Sequence, residues 1–105
     1  MTPQEKIEQL LKNKYQAIVE LAQSHGAYNI RVFGSVARRE ATEESDLDLL
    51  FDFDSKRRSS WFPMGLKFDL EDLLGVSVDL GTASSLKERI RDEVLADAKP
   101  LSHYE

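Results

Sequence analysis

The 105-residue chain carries 19 acidic against 14 basic side chains, for a net charge of −5, and 41% of its residues are hydrophobic. That balance predicts one domain of ordinary size and argues against binding nucleic acid by neutralising a run of phosphates. With no cysteine, a disulfide framework and a thiolate metal site are excluded, as expected of a reducing, cytoplasmic setting. No apolar run approaches the roughly 18 residues of a membrane helix, and the first residues lack a signal-peptide apolar segment, so no membrane partner is expected.

Thr2-Pro3-Gln4-Glu5 has the form of a capping box with proline at the first helical position. Ile7, Leu10, Leu11, Ile18, Leu21 and Ala22 recur at helical spacing, which predicts a helix to about Ser24, stopped by Gly26. Ile30, Val32 and Phe33 predict a short strand. Gly34-Ser35 then turns the chain into a short helix over 36–39, with Ser35 as its N-cap. Residues 41–45 are a polar connection. Leu47, Leu49, Phe51 and Phe53 alternate with Asp46, Asp48, Leu50 and Asp52, the pattern of a strand with one apolar and one acidic face.

The stretch 54–60, with Lys56-Arg57-Arg58, is expected as an exposed loop. A second long helix is predicted from Trp61 to Leu74, closed by Gly75, and a third strand from Val76 to Leu80 with Asp79 on its polar face beside Ser77. Ser85-x-x-Glu88 predicts another capping box, opening a helix through Leu86, Ile90 and Val94 that stops before Pro100. Leu101 to Glu105 is expected to be a disordered tail. The order α-β-α-β-α-β-α predicts an α/β fold, a small mixed sheet flanked by helices, in one domain over residues 1–105. The pattern leaves the strand directions open.

The chemistry concentrates in two stretches. Asp46 and Asp48 share one face of a strand with Cα atoms about 6.6 Å apart, close enough to serve one cation. Unneutralised, two like charges at about 4 Å repel by roughly 4 kcal/mol at an effective dielectric of 20. Asp79 can join them if its strand is a neighbour. Oxygen-only ligation suits Mg²⁺ or Mn²⁺, which commonly take a few carboxylates together with substrate phosphates. Gly34-Ser35 offers the matching phosphate site: glycine admits close backbone approach, Ser35 brings a hydroxyl, and Arg38 adds positive charge one turn on. Together these parts describe nucleotidyl transfer with Asp46, Asp48 and Asp79 as metal ligands and catalytic carboxylates, and Gly34, Ser35 and Arg38 on the triphosphate.

Gly34-Ser35, ten intervening residues, then Asp46-Leu47-Asp48, with Asp79 on a later strand, resembles the nucleotidyltransferase superfamily that includes DNA polymerase β. The short chain, with Gly34-Ser35-Val36-Ala37-Arg38 and Ser45-Asp46-Leu47-Asp48-Leu49, resembles the minimal nucleotidyltransferases, many of them antitoxins paired with HEPN-domain ribonuclease toxins. The resemblance implies a polymerase β-like fold and transfer of AMP from ATP to a tyrosine of a cognate HEPN toxin, with two Mg²⁺ ions. One departure is visible: family members often carry glycine after the arginine, where this chain has Arg39.

Plainer readings compete at each position. Asp46 and Asp48 could be the charged face of an edge strand, and Asp79 a solvated residue. Asp52 lies about 13 Å beyond Asp48 along the strand, out of reach of the same ion, and with Asp54 is expected at the surface. Lys56-Arg57-Arg58 is a solvated loop, a clamp on ATP phosphates or a docking patch for the partner. Trp61, Phe62 and Phe68 are expected in the core or facing a partner, and His25 and His103 lack companions at metal or triad spacing. Two further functions stay in view: an antitoxin acting by occlusion alone, and a nucleotidyltransferase acting on a small molecule.

Overall fold

The computed structural model describes residues 1–54, 56 and 62–105. Helix α1 runs Pro3–Ser24, and its capping box forms as expected: the Thr2 hydroxyl accepts from the Glu5 N–H while the Glu5 carboxylate accepts from the Thr2 N–H. Strand β1 (Ala27–Phe33) begins three residues earlier than the apolar pattern indicates. The short helix α2 covers Gly34–Ala37, β2 covers Leu47–Phe53, and α3 covers Met64–Leu74, closed by Gly75 at φ 71°. Strand β3 is Val78–Gly81 and helix α4 is Glu88–Asp97. Trp61, Arg57 and Arg58, to which the loop and helix expectations extended, lie outside the described residues.

The four strands form one mixed sheet in the order β3-β2-β1-β4, where β4 is Lys99–Pro100. β1 runs antiparallel to β2 and to β4, and β2 parallel to β3. A parallel pair needs a crossover, and α3 supplies it. One face of the sheet is the core: Leu47, Leu49 and Phe51 of β2, Val32 and Val78 meet Leu11 and Ile18 of α1 and Leu66 and Leu70 of α3, all nearly inaccessible. Each such side chain contributes about 1.5–3 kcal/mol by its burial. The acidic face expected of β2 holds for Asp48 but not for Leu50, which is fully buried. The 3₁₀ turn Ala83–Ser85 packs on β2 and α4 on β1, so a strand that looked half solvated is covered on both faces at its centre.

Three local expectations are corrected. The cap of α2 is Phe33, not Ser35, because the hydrogen-bonded turn already starts at Gly34, whose carbonyl accepts from the Arg38 N–H at 3.1 Å. The second capping box is Thr82 with Ser85, closing the 3₁₀ turn, and α4 starts from Lys87 with no side-chain cap. The Ser85 hydroxyl accepts from the Thr82 N–H and donates to the Thr82 carbonyl, both at 2.9 Å, so it is engaged within the 3₁₀ turn rather than on α4. The end of the chain is not a loose tail: residues Leu101–Tyr104 form a 3₁₀ turn with Leu101 and Tyr104 buried beside α1.

Arg39 stands in the left-handed region, φ 61°. There a non-glycine residue costs about 1–2 kcal/mol, and glycine is the usual occupant after a helix end. Its nearest ion pair, to Glu8 at 3.9 Å with the Arg39 side chain 75% exposed, offsets little of that. Arg39→Gly is therefore expected to raise stability by about 0.5–1 kcal/mol after the entropy of glycine in the unfolded chain is set against the relief. A thermal melt checks this: an unchanged or lower midpoint contradicts it.

Candidate active site

Asp48 sits at the centre of the site because its strand does. On one side β1 brings Phe33 opposite it, so the chain turns at Gly34 directly beside the carboxylate. On the other side β3 brings Asp79 into register with Asp48. Registered residues on neighbouring strands point to the same face, so the two carboxylates face solvent together. Asp46 lies just ahead of β2 and is exposed, as is Asp79, whereas Asp48 is half-buried.

Gly34 is required twice over. Its φ of 72° disfavours any side chain, and a Cβ there would collide with Oδ2 of Asp48 and approach its Cγ to 3.1 Å. The turn and the acid are in contact, and the contact fixes where each can be.

Electrostatics carry the same message. The Asp48 carboxyl is pushed up to about 6, first by burial, then by Asp79 and Asp46, with Arg38 pulling the other way. The Arg38 guanidinium is itself held by Glu40 at 3.2 Å and Asp97 of α4 at 3.3 Å, which raise its own pKa. It thus reaches the site's field from a fixed position rather than swinging free.

A raised carboxyl pKa means that the fold holds the Asp48 proton more tightly than the unfolded chain does. Ionised Asp48 therefore opposes folding above about pH 6, and that opposition fades as the pH falls toward the ordinary carboxylate range. In chelator at pH 8, Asp48→Asn is expected to stabilise the protein by about 1 kcal/mol, after discounting for solvent around a half-exposed group, and to do nothing at pH 4. Urea unfolding at the two pH values reads this, and equal effects at both would contradict it.

A divalent cation fits this arrangement in its chemistry. The donors are all carboxylate oxygens, and Asp48 is short of positive charge. The fit is partial in geometry: among the described residues, no group of three acidic or histidine side chains stands close enough to hold an ion already assembled. Asp48 and Asp79 pair in register, while Asp46 acts on Asp48 through its charge. Mg²⁺ needs no more than one or two carboxylates when substrate phosphates and water supply the rest.

Other polar residues fall outside the site. Asp52 accepts from Asn29 at 2.9 Å and from Arg31 at 2.9 Å, a ladder that accommodates Asn29 at φ 52°. His25, set aside in the sequence, has Nε2 2.8 Å from Oδ2 of Asp69 and ties the end of α1 to α3. Phe62 packs on Phe51 and Phe53, with ring centres 5.5 and 5.2 Å apart, whereas Phe68 is 49% exposed.

The sheet order, the Asp48–Asp79 register and the glycine turn against Asp48 are the frame of a nucleotidyltransferase. The chain belongs to the nucleotidyltransferase domain family, whose model matches residues 5–101. It is similar to a structure described as a minimal nucleotidyltransferase, with a TM-score of 0.76 and 45% identity over 89% of this chain and 94% of that one. It is 45% identical over 83 residues to the protein adenylyltransferase MntA of Thermococcus cleftensis, 74% of this chain and 78% of the relative. It also resembles a chain of a toxin–antitoxin crystal structure with AMP-PNP, with a TM-score of 0.62 and 25% identity over 86% of this chain and 71% of that one. Within the family it is an enzyme of the minimal type.

Proposed function

We propose that the chain is a Mg²⁺-dependent protein adenylyltransferase, acting in the cytoplasm as an antitoxin. It transfers AMP from ATP to a hydroxyl, in our reading a tyrosine's, of a cognate HEPN ribonuclease toxin and so neutralises it. The observation that carries this is the registered pair Asp48–Asp79 with Asp48 seated against the Gly34 turn. The adenylyltransferase relative and the toxin–antitoxin likeness support the choice of AMP and of a protein acceptor.

In this reading the backbone at Gly34-Ser35 and the Ser35 hydroxyl grip the triphosphate, with Arg38 adding its charge from the far side of the turn. Asp46, Asp48 and Asp79 would hold the cations. Bound there, the metal ions would neutralise charge on the α-phosphate and on the departing pyrophosphate. The acceptor oxygen forms a bond to the α-phosphorus while the bond from that phosphorus to the β-phosphate oxygen breaks, and the hydroxyl proton passes to an Asp79 carboxylate oxygen. Asp79, exposed on the outer strand of the sheet, is the acid an incoming protein can reach.

A second reading, neutralisation by occlusion, draws support from the lack of a ready three-carboxylate cluster among the described residues. ATP labelled in turn at the α- and γ-phosphate, incubated with the chain, Mg²⁺ and the cognate toxin, tests the proposal. Label on the toxin from the α position only supports AMP transfer, and label from neither position contradicts it.

A further inference from the structure

Gln4 is the buried polar residue of the structure, 8% exposed among the described residues. Its side-chain amide bridges two points on a distant segment. Nε2 donates to the Val36 carbonyl at 2.9 Å, and Oε1 accepts from the Ala41 N–H at 3.1 Å. Both ends of the amide are used in the sense their chemistry demands. The residue is itself held in the first turn of α1 by the Thr2–Glu5 capping box.

The segment so bridged adjoins the Gly34-Ser35 turn and contains Arg39 in the left-handed region. A strained residue of this kind persists only where the surrounding structure over-determines it. A clamp is therefore needed on both sides of it, and Val36 and Ala41 are those sides. Gly34, two residues before Val36, lies so close to the Asp48 carboxylate that an added Cβ would collide with it, so slack in the segment would move the turn and the acid relative to each other.

We propose that Gln4 is a positioning residue for nucleotide binding: by tying Val36 to Ala41 it holds the Gly34-Ser35 turn in place against Asp48. This rests on the function proposed above for the same site. Gln4 touches no substrate. Its effect falls on how well the triphosphate is gripped, more than on the transfer step once the nucleotide is bound. Removing such uniform binding raises KM and leaves kcat nearly unchanged.

The test uses two variants of the full chain. Gln4→Met keeps the length and apolar packing but has no amide. Gln4→Glu keeps an acceptor for the Ala41 N–H and sets a second acceptor against the Val36 carbonyl. Both are compared with wild type, at a temperature where circular dichroism shows them folded, for binding of a fluorescent ATP analogue with Mg²⁺. KM and kcat are measured with the toxin, and amide exchange is followed along the chain.

The expected result is a Kd and a KM for nucleotide raised about tenfold, equivalent to about 1.4 kcal/mol, with kcat little changed. Faster exchange should be confined to the amides of residues 34–41 and leave α3 as it was. A folded variant that binds the analogue within twofold of wild type overturns the proposal. So does failure of both variants to fold, which would make Gln4 a determinant of the fold alone. A wild type that binds nucleotide but transfers none removes the proposed function while the Kd ratio still judges Gln4, and a wild type that binds none overturns both.

Discussion

Asp46→Asn and Asp48→Asn together are expected to lower AMP transfer by at least about 10³-fold while complex formation with the toxin is unchanged. The magnitude follows from the size of effects seen when charge stabilisation is removed at a transition state. Asparagine keeps the shape of each side chain but removes the negative charge that a hard cation requires. The binding surface is expected to survive, because the fold loses no buried apolar contact and Asp48 loses a charge that burial and two neighbouring acids already oppose. The toxin should then stay unmodified within an intact complex. If the double variant neutralises the toxin as well as wild type at equal complex formation, occlusion is the mechanism and the carboxylates are incidental to it.

Gly34→Ala is expected to damage activity far more than stability. The left-handed φ of 72° costs an alanine about 1–2 kcal/mol, which a domain of ordinary stability survives. The added Cβ also meets the end of the Asp48 side chain. That carboxylate is the movable partner, and it yields by rotating away from Asp79 and from the phosphate turn. Most of the strain is thereby relieved at the expense of the metal position. A loss of about 10²-fold or more in transfer is expected, since misplacement by about 1 Å at a reacting centre costs that much. A variant that melts lower yet transfers AMP at the wild-type rate would show that the Gly34–Asp48 contact has no catalytic consequence.

The sequence told most where the physics is local. The Thr2–Glu5 capping box, the helical spacing of α1, the existence of strand β2 and the Gly75 stop each depend on residues a few positions apart, and each appears in the structure. The pairing that matters most, Asp48 with Asp79 across parallel strands, follows from no local pattern, because register depends on where α3 delivers β3. The Gln4 clamp reaches 32 and 37 residues along the chain and the His25–Asp69 contact 44, distances at which spacing carries no signal.

The other misjudged residues have comparable causes. Leu101 and Tyr104 are two anchors in a five-residue stretch, too few to establish a period, yet burial against α1 holds them. Thr82 and Ser85 competed with Ser85 and Glu88 for the same cap, and a choice between adjacent caps is decided by backbone geometry rather than by residue type. Leu50 looked like part of an acidic face because the pattern of β2 alone does not reveal what packs on it.

Diffraction from crystals grown with Mn²⁺ and a non-hydrolysable ATP analogue, read by the anomalous signal of the metal, tests most directly whether these acids and this turn form one nucleotide site. The expected peak lies within ligand distance of Asp48 and Asp79, bridged to a triphosphate that rests on the Gly34-Ser35 backbone. A triphosphate seated elsewhere on the domain, or a metal peak away from both acids, would contradict it.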